Sequence, residues 1–190
     1  MRQTFLKLVF IFILAIFTFP SSQAAGAEMS ADEMMKKFYL AFYYAADDMA
    51  ARVRMKLIAE DGAERTREMT FLRKNFGANG EQKYFIYFHQ PSDVRNMTYM
   101  VWKTPKKDSD RWLFIPALNM ARRVAASDKH SSFVGSDFSY EDISGRDLSE
   151  DAHTVVKEEK IGDRDTVIIK SVPKDEKGTQ YAYQLSWLDK

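Results

Sequence analysis

Three observations predict a mainly β fold, an antiparallel meander with one helix in front of it. Apolar and polar residues alternate with period two through most of the chain beyond residue 48, as strands with one wet face require. Turn-forming residues, Asp61-Gly62, Gly77 to Gly80, Pro105 to Asp110 and Gly162-Asp163, separate these runs at hairpin spacing. Aromatic residues make up 14% of the chain and concentrate in the same runs, where they favour pleated, half-buried surfaces.

The first residues read as a secretory signal peptide spanning 1–27. Arg2 and Lys7 give a positive start, Leu8 to Phe19 form an apolar run, and small residues follow at Ala24-Ala25-Gly26-Ala27. A membrane span needs about 20 apolar residues, so the run is short for an anchor. Cleavage after Ala27 would leave 163 of the 190 residues, enough for one domain over 28–190. The absence of cysteine excludes both a disulfide framework and lipid attachment to a cysteine.

Ser30 followed by Glu33 has capping-box spacing, and Met34, Phe38, Ala41, Phe42 and Ala45 recur at three and four, predicting a helix over 31–45. Its apolar face is expected to pack on a sheet. Strands follow at Met49 to Ala59, Glu64 to Phe76, Gln82 to His89, Thr98 to Thr104 and Arg111 to Ile115. A short strand at Ala121 to Ala125 comes next, then strands at Ala152 to Ile161, Arg164 to Val172 and Thr179 to Leu188. In the last of these Tyr181, Tyr183, Leu185 and Trp187 alternate strictly, and a strand so apolar is expected to have a neighbour.

One segment breaks the pattern. Between Arg122 and Ile143, Phe133, Val134, Phe138 and Tyr140 are interleaved with serines and Gly135, too polar for a core strand and too aromatic for a solvent loop. It reads as a cover.

The chemistry-bearing residues give little purchase to an enzyme. His89, His130 and His153 lack metal-ligand spacing, and Ser136 with Asp137 and His130 lacks the Gly-x-Ser-x-Gly elbow of a hydrolase. Asp137, Glu141 and Asp142 could hold a hard cation. Helix capping by Ser136 or Asp137, with Glu141 and Asp142 in the first turn, is the simpler expectation. No enzyme activity, cofactor or metal is therefore expected. With Arg2 and Lys7 removed, 26 basic residues face 27 acidic ones, which argues against a nucleic-acid partner.

The sequence Arg111-Trp112-Leu113-Phe114-Ile115-Pro116, followed by Arg122-Arg123 and by Phe133-Val134-Gly135-Ser136-Asp137-Phe138-Ser139-Tyr140-Glu141-Asp142, resembles the periplasmic outer-membrane-lipoprotein-sorting-like family. These are LolA-like half-barrel proteins often associated with RND-type exporters. Asp47-Asp48-Met49, Gly62 with Arg67, and Pro91-Ser92-Asp93-Val94 extend the likeness from about Ser30 to Lys190. Asn96 stands where the family pattern usually has Gly.

The resemblance implies an incomplete β-barrel, a curved antiparallel sheet with a short helical lid over an apolar cavity for lipid or lipoprotein acyl chains. It also implies a periplasmic location, a link to the outer membrane, and an inner-membrane RND-type exporter as a partner. Family members commonly continue past Trp187 to Lys190 with further strands, so the barrel edge is expected either to lack those C-terminal strands or to be supplied differently. Within this frame, Met55, Leu57, Met69, Phe71, Ile86, Phe88, Met100, Trp102, Trp112 and Phe114 are the expected cavity wall. Phe133, Val134, Phe138 and Tyr140 are the expected lid. Either face of the strands could be the concave one. The rival expectation is an exporter accessory that docks without carrying anything.

Overall fold

The computed structural model describes residues 29–76, 80–175 and 179–190. The predicted signal segment over 1–27 lies outside the described residues, as do residues 77–79 of one predicted turn.

Helix α1 (Ala31–Tyr43) starts where the capping box places it. Ser30 Oγ accepts from the Glu33 amide, and the Glu33 carboxylate accepts from the Ser30 amide at 2.9 Å. Six strands then form one antiparallel meander in sequence order: β1 (Asp48–Ile58), β2 (Glu64–Phe76), β3 (Glu81–Gln90), β4 (Thr98–Lys103), β5 (Asp110–Ile115) and β6 (Met120–Val124). A second sheet of three holds β7 (Asp151–Ile161), β8 (Arg164–Pro173) and β9 (Gln184–Asp189). Register shifts at Glu68/Met69 in β2 and Val155/Lys157 in β7 bend the strands. Neither sheet closes on itself, so the result is an incomplete barrel of curved antiparallel sheets.

The chain between β6 and β7 crosses the mouth of the larger sheet and contains helix α2 (Tyr140–Ser144). Helix α1 precedes β1 in sequence but packs on the smaller sheet. There Met35 meets Val167, Ile169 and Leu188, and Met34 and Leu148 close the edges of this cluster.

Two sequence expectations need correction. The last strand begins at Gln184 rather than Thr179, and its aromatic face, with Tyr181, Tyr183, Leu185 and Trp187, is exposed. Only Leu188, of the opposite parity, enters the core, because β8 pairs with β9 in the register Val167↔Leu188. The cap of α2 is Ser139, not Ser136 or Asp137. Ser139 and Asp142 form a full capping box, the Asp142 carboxylate accepting from the Ser139 amide at 2.7 Å. Asn96 adopts φ 65°, the left-handed conformation that Asn tolerates better than most residues. Its amide donates to Phe88 O and its side-chain oxygen accepts from Tyr87 Oη at 2.6 Å, so Asn fills the place of glycine with added anchors.

Candidate functional site

The register of the meander decides which side chains share a face. Ala51, Phe71, Ile86, Tyr99 and Leu113 form one row across five strands, with Val53, Met69 and Phe88 beside it. This is the covered face. Phe133 drops from the lid into it, 1% exposed, with its ring 5.9 Å from Phe88, 5.3 Å from Tyr99 and 5.7 Å from Tyr140. The lid is thus pinned over β3 and β4 by aromatic packing worth about 0.5–1.5 kcal/mol per pair beyond area burial.

Toward β1 and β2 the same face is left open. There a cavity of about 610 Å³ lies between the C-terminal end of α1, the strands and the lid. Met49, Ala51, Val53, Met55, Met69, Phe71, Tyr84 and Ile86 form its wall, Phe42 and Tyr43 one side, and Phe133, Phe138 and Ile143 the other. Its size falls in the usual range for small-molecule sites, about 300–1,000 Å³, and its lining is mainly apolar.

Of the ten residues expected in the wall, Met55, Met69, Phe71 and Ile86 line this cavity. Phe88 is fully buried on the same face, within the cluster around Phe133, and Leu57 shares that face near the end of β1. Met100, Trp102, Trp112 and Phe114 are corrected to the opposite face of the sheet. Met100 pairs across strands with Trp112 and Thr98 with Phe114, whereas the covered positions of β4 are Tyr99, Val101 and Lys103. Trp102 and Trp112 instead meet each other edge to face, 5.1 Å apart. The apolar pattern of β3 to β5 runs on both faces, and only the register separates them.

The four lid residues divide by depth. Phe133 and the partly buried Val134 and Tyr140 pack on the core, whereas Phe138 is 55% exposed and lines the cavity mouth. The tip turns through Val134 and Gly135, both at positive φ (51° and 75°), with the Ser136 amide donating to Phe133 O. Sequence reading missed Arg73, Tyr84 and Tyr43 as cavity residues, though the parity of Met69 and Phe71 on β2 extends to Arg73.

Polar groups fasten the lid. Lys103, buried beneath it, donates from Nζ to Tyr39 Oη at 2.6 Å and to the carbonyls of Ser144 and Gly145 at 2.7 and 2.9 Å. Helix α1, strand β4 and the end of α2 therefore meet at one amine. Burial pushes that amine down to about 8. Burial likewise raises the Tyr39, Tyr84 and Tyr99 phenols. Gly145 lies so close to Tyr43 that a Cβ there would sit 2.7 Å from the ring. Glu141, also buried, accepts from Lys129 at 2.9 Å, and Arg146 holds Asp151 at 3.1 Å, tying the lid to β7.

Ser136 and His130 make contacts of another kind than a hydrolase needs. Ser136 Oγ donates to Phe133 O at 2.8 Å, and His130 Nδ1 lies 3.6 Å from Glu141. Among the described residues no three His, Asp or Glu side chains gather as a metal-ligating group.

A family model described as an uncharacterized protein matches residues 80–190. A DUF1329 family protein from Desulfovibrio piger ATCC 29098 has 30% identity and a TM-score of 0.75, over 84% of this chain and 67% of its own. An outer membrane lipoprotein-sorting protein domain from Vibrio parahaemolyticus has 27% identity and the same TM-score, over 84% and 66%. The chain belongs to the DUF1329 family. A LolA superfamily protein from Nitrosomonas europaea shares the fold of this DUF1329 family chain at a TM-score of 0.58 and 18% identity, over 85% and 67%. The chain spans about two thirds of the length of each of these structures. No curated protein matches it.

Proposed function

We infer that this chain is a periplasmic carrier that takes lipid, or the acyl chains of lipoproteins, into the cavity under the lid and moves them between membranes. The observation that supports this most is the cavity itself, an apolar trough between the end of α1 and the lid, which contributes a buried plug, Phe133, and an exposed flap, Phe138. Each methylene moved from water into such a site is worth about 0.8 kcal/mol, so an acyl chain supplies ample affinity without any polar contact. Met49, Met55 and Met69 give the wall an adaptable surface suited to chains of varying shape. The role requires no catalytic group. The LolA-like and lipoprotein-sorting-like relatives support the assignment of cargo class and compartment, and an inner-membrane RND-type exporter is the partner we assign to the loading or unloading step.

Native mass spectrometry of the protein taken from its own periplasm tests this reading. A carrier emerges with a lipid-sized adduct that is lost on delipidation. Protein that is consistently adduct-free and fails to take up a fluorescent fatty acid would sink the idea in favour of a docking accessory.

A further inference from the structure

We propose that the cargo carries an anionic group, a carboxylate or a phosphate, and that Arg73 receives it at one end of the cavity. The inference rests on the carrier reading and narrows it to anionic amphiphiles.

Arg73 is 5% exposed and lines the cavity, on the same face of β2 as Phe71 and Met69. Its Nη1 and Nη2 donate to Phe42 O and Ala46 O, both at 3.3 Å, just beyond the usual 2.7–3.2 Å range. Its Nε is buried with no partner. Among the described residues no carboxylate lies within ion-pair distance of it, so a buried positive charge is met only by two long bonds to carbonyls. That is an expensive arrangement for a guanidinium, whose planar fork suits a bidentate carboxylate or phosphate.

The other charges around the cavity are already matched. Arg54 pairs with Glu68 at 3.2 Å and Lys56 with Glu64 at 2.7 Å. Asp142, the one acidic residue in the lining, has its Oδ2 committed to the Ser139 amide and hydroxyl in the capping box. An anion entering beside Phe71 and Tyr84 therefore meets one cation that lacks a carboxylate partner. The apolar wall running from Phe71 to Met55 then takes the chain.

The competing role for Arg73 is a purely structural clamp between α1 and the sheet. Competition against a fluorescent fatty-acid probe separates the two, using delipidated full-chain protein and three ligands of one chain length: hexadecanoate, hexadecyl phosphate and hexadecanol. The expected result is that each anion binds about tenfold or more tighter than the alcohol, as a charge-assisted hydrogen bond warrants. The tighter of the two anions identifies a fatty-acid-like or a phospholipid-like headgroup. Arg73→Gln should reduce the preference to about threefold or less, while Arg73→Lys, which keeps the charge but not the fork, retains part of it. Arg67→Gln, on a buried arginine of the same strand that does not line the cavity, should leave the preference in place.

Equal binding of anion and alcohol by wild type would overturn the anionic cargo and leave the carrier standing. No binding of any of the three would overturn the carrier. A preference that survives in Arg73→Gln, or one lost in Arg67→Gln instead, would overturn the assignment to Arg73.

Discussion

The two sheets solve the same problem differently. Both present an apolar face that must be covered, and both come from strands rich in aromatic and β-branched residues. The three-stranded sheet is covered by a helix, α1, whose Met35 fits against Val167, Ile169 and Leu188 and fills the space. The six-stranded sheet is covered by an irregular lid that seats Phe133, with Tyr140 beside it, over β3 and β4 and leaves the face of β1 and β2 as a cavity. A regular element laid on a sheet makes a wall; a plug that reaches only half the sheet makes a container.

The sharpest way to break this contrast is to remove one filled position from each sheet. Ile169→Ala should cost about 2–5 kcal/mol of stability and Phe88→Ala about 3–5, both being fully buried. Chemical denaturation of each variant, combined with fatty-acid affinity below the transition, should show Phe88→Ala altering binding as well as stability. Ile169→Ala should alter stability alone. Equal loss of affinity in both would erase the distinction between wall and container.

A smaller effect is expected where lid, helix and sheet meet. Burial holds the Lys103 amine near 8, against 10.5 in an unfolded chain, so between those values the unfolded state binds more protons. Stability contributed by this group therefore rises with pH through that window. The phenols of Tyr39, Tyr84 and Tyr99 are shifted the other way, so above their ordinary 10.0 the unfolded chain sheds protons that the folded one keeps, and stability falls. Denaturation midpoints at pH 7.5 and 9.5 should show wild type gaining relative to Lys103→Met. A constant difference would mean that the amine is not desolvated and that the joint is looser than drawn.

The smallest effects separate the two faces of the larger sheet. Phe138→Ser should weaken retention of a fluorescent fatty acid by about fivefold, in line with removal of a half-exposed aromatic flap. Trp112→Ala on the opposite face should leave that affinity within about twofold, because its ring packs against Trp102 and not toward the cavity. A reversal of these two results would mean that the ligand lies on that opposite side. Replacing Phe133, Val134 and Phe138 together would be a blunter test, since Phe133 belongs to the core.

The strand succession, the capping box of α1 and the covering role of residues 122–143 were legible because each depends on local spacing. The split of the aromatic residues between faces was not. Strands β3, β4 and β5 are apolar on both sides, so period-two patterning leaves parity undetermined, and Met100, Trp102, Trp112 and Phe114 became separable from Tyr99, Val101 and Leu113 only through cross-strand register. Arg73 was missed for the opposite reason: a charged residue on a patterned strand reads as solvated until the helix end is seen folded over it. The terminal strand misled by strength of signal, since its aromatic side faces outward and only Leu188 is buried.

The lid is also the stretch that leads from the larger sheet to the smaller, running from β6 to β7. Among the described residues every strand pairing within a sheet is between neighbours in sequence, so each meander is built from local hairpins. Seating Phe133 over Phe88 and Tyr99 is the non-local step, closing a longer loop than any of the hairpins does.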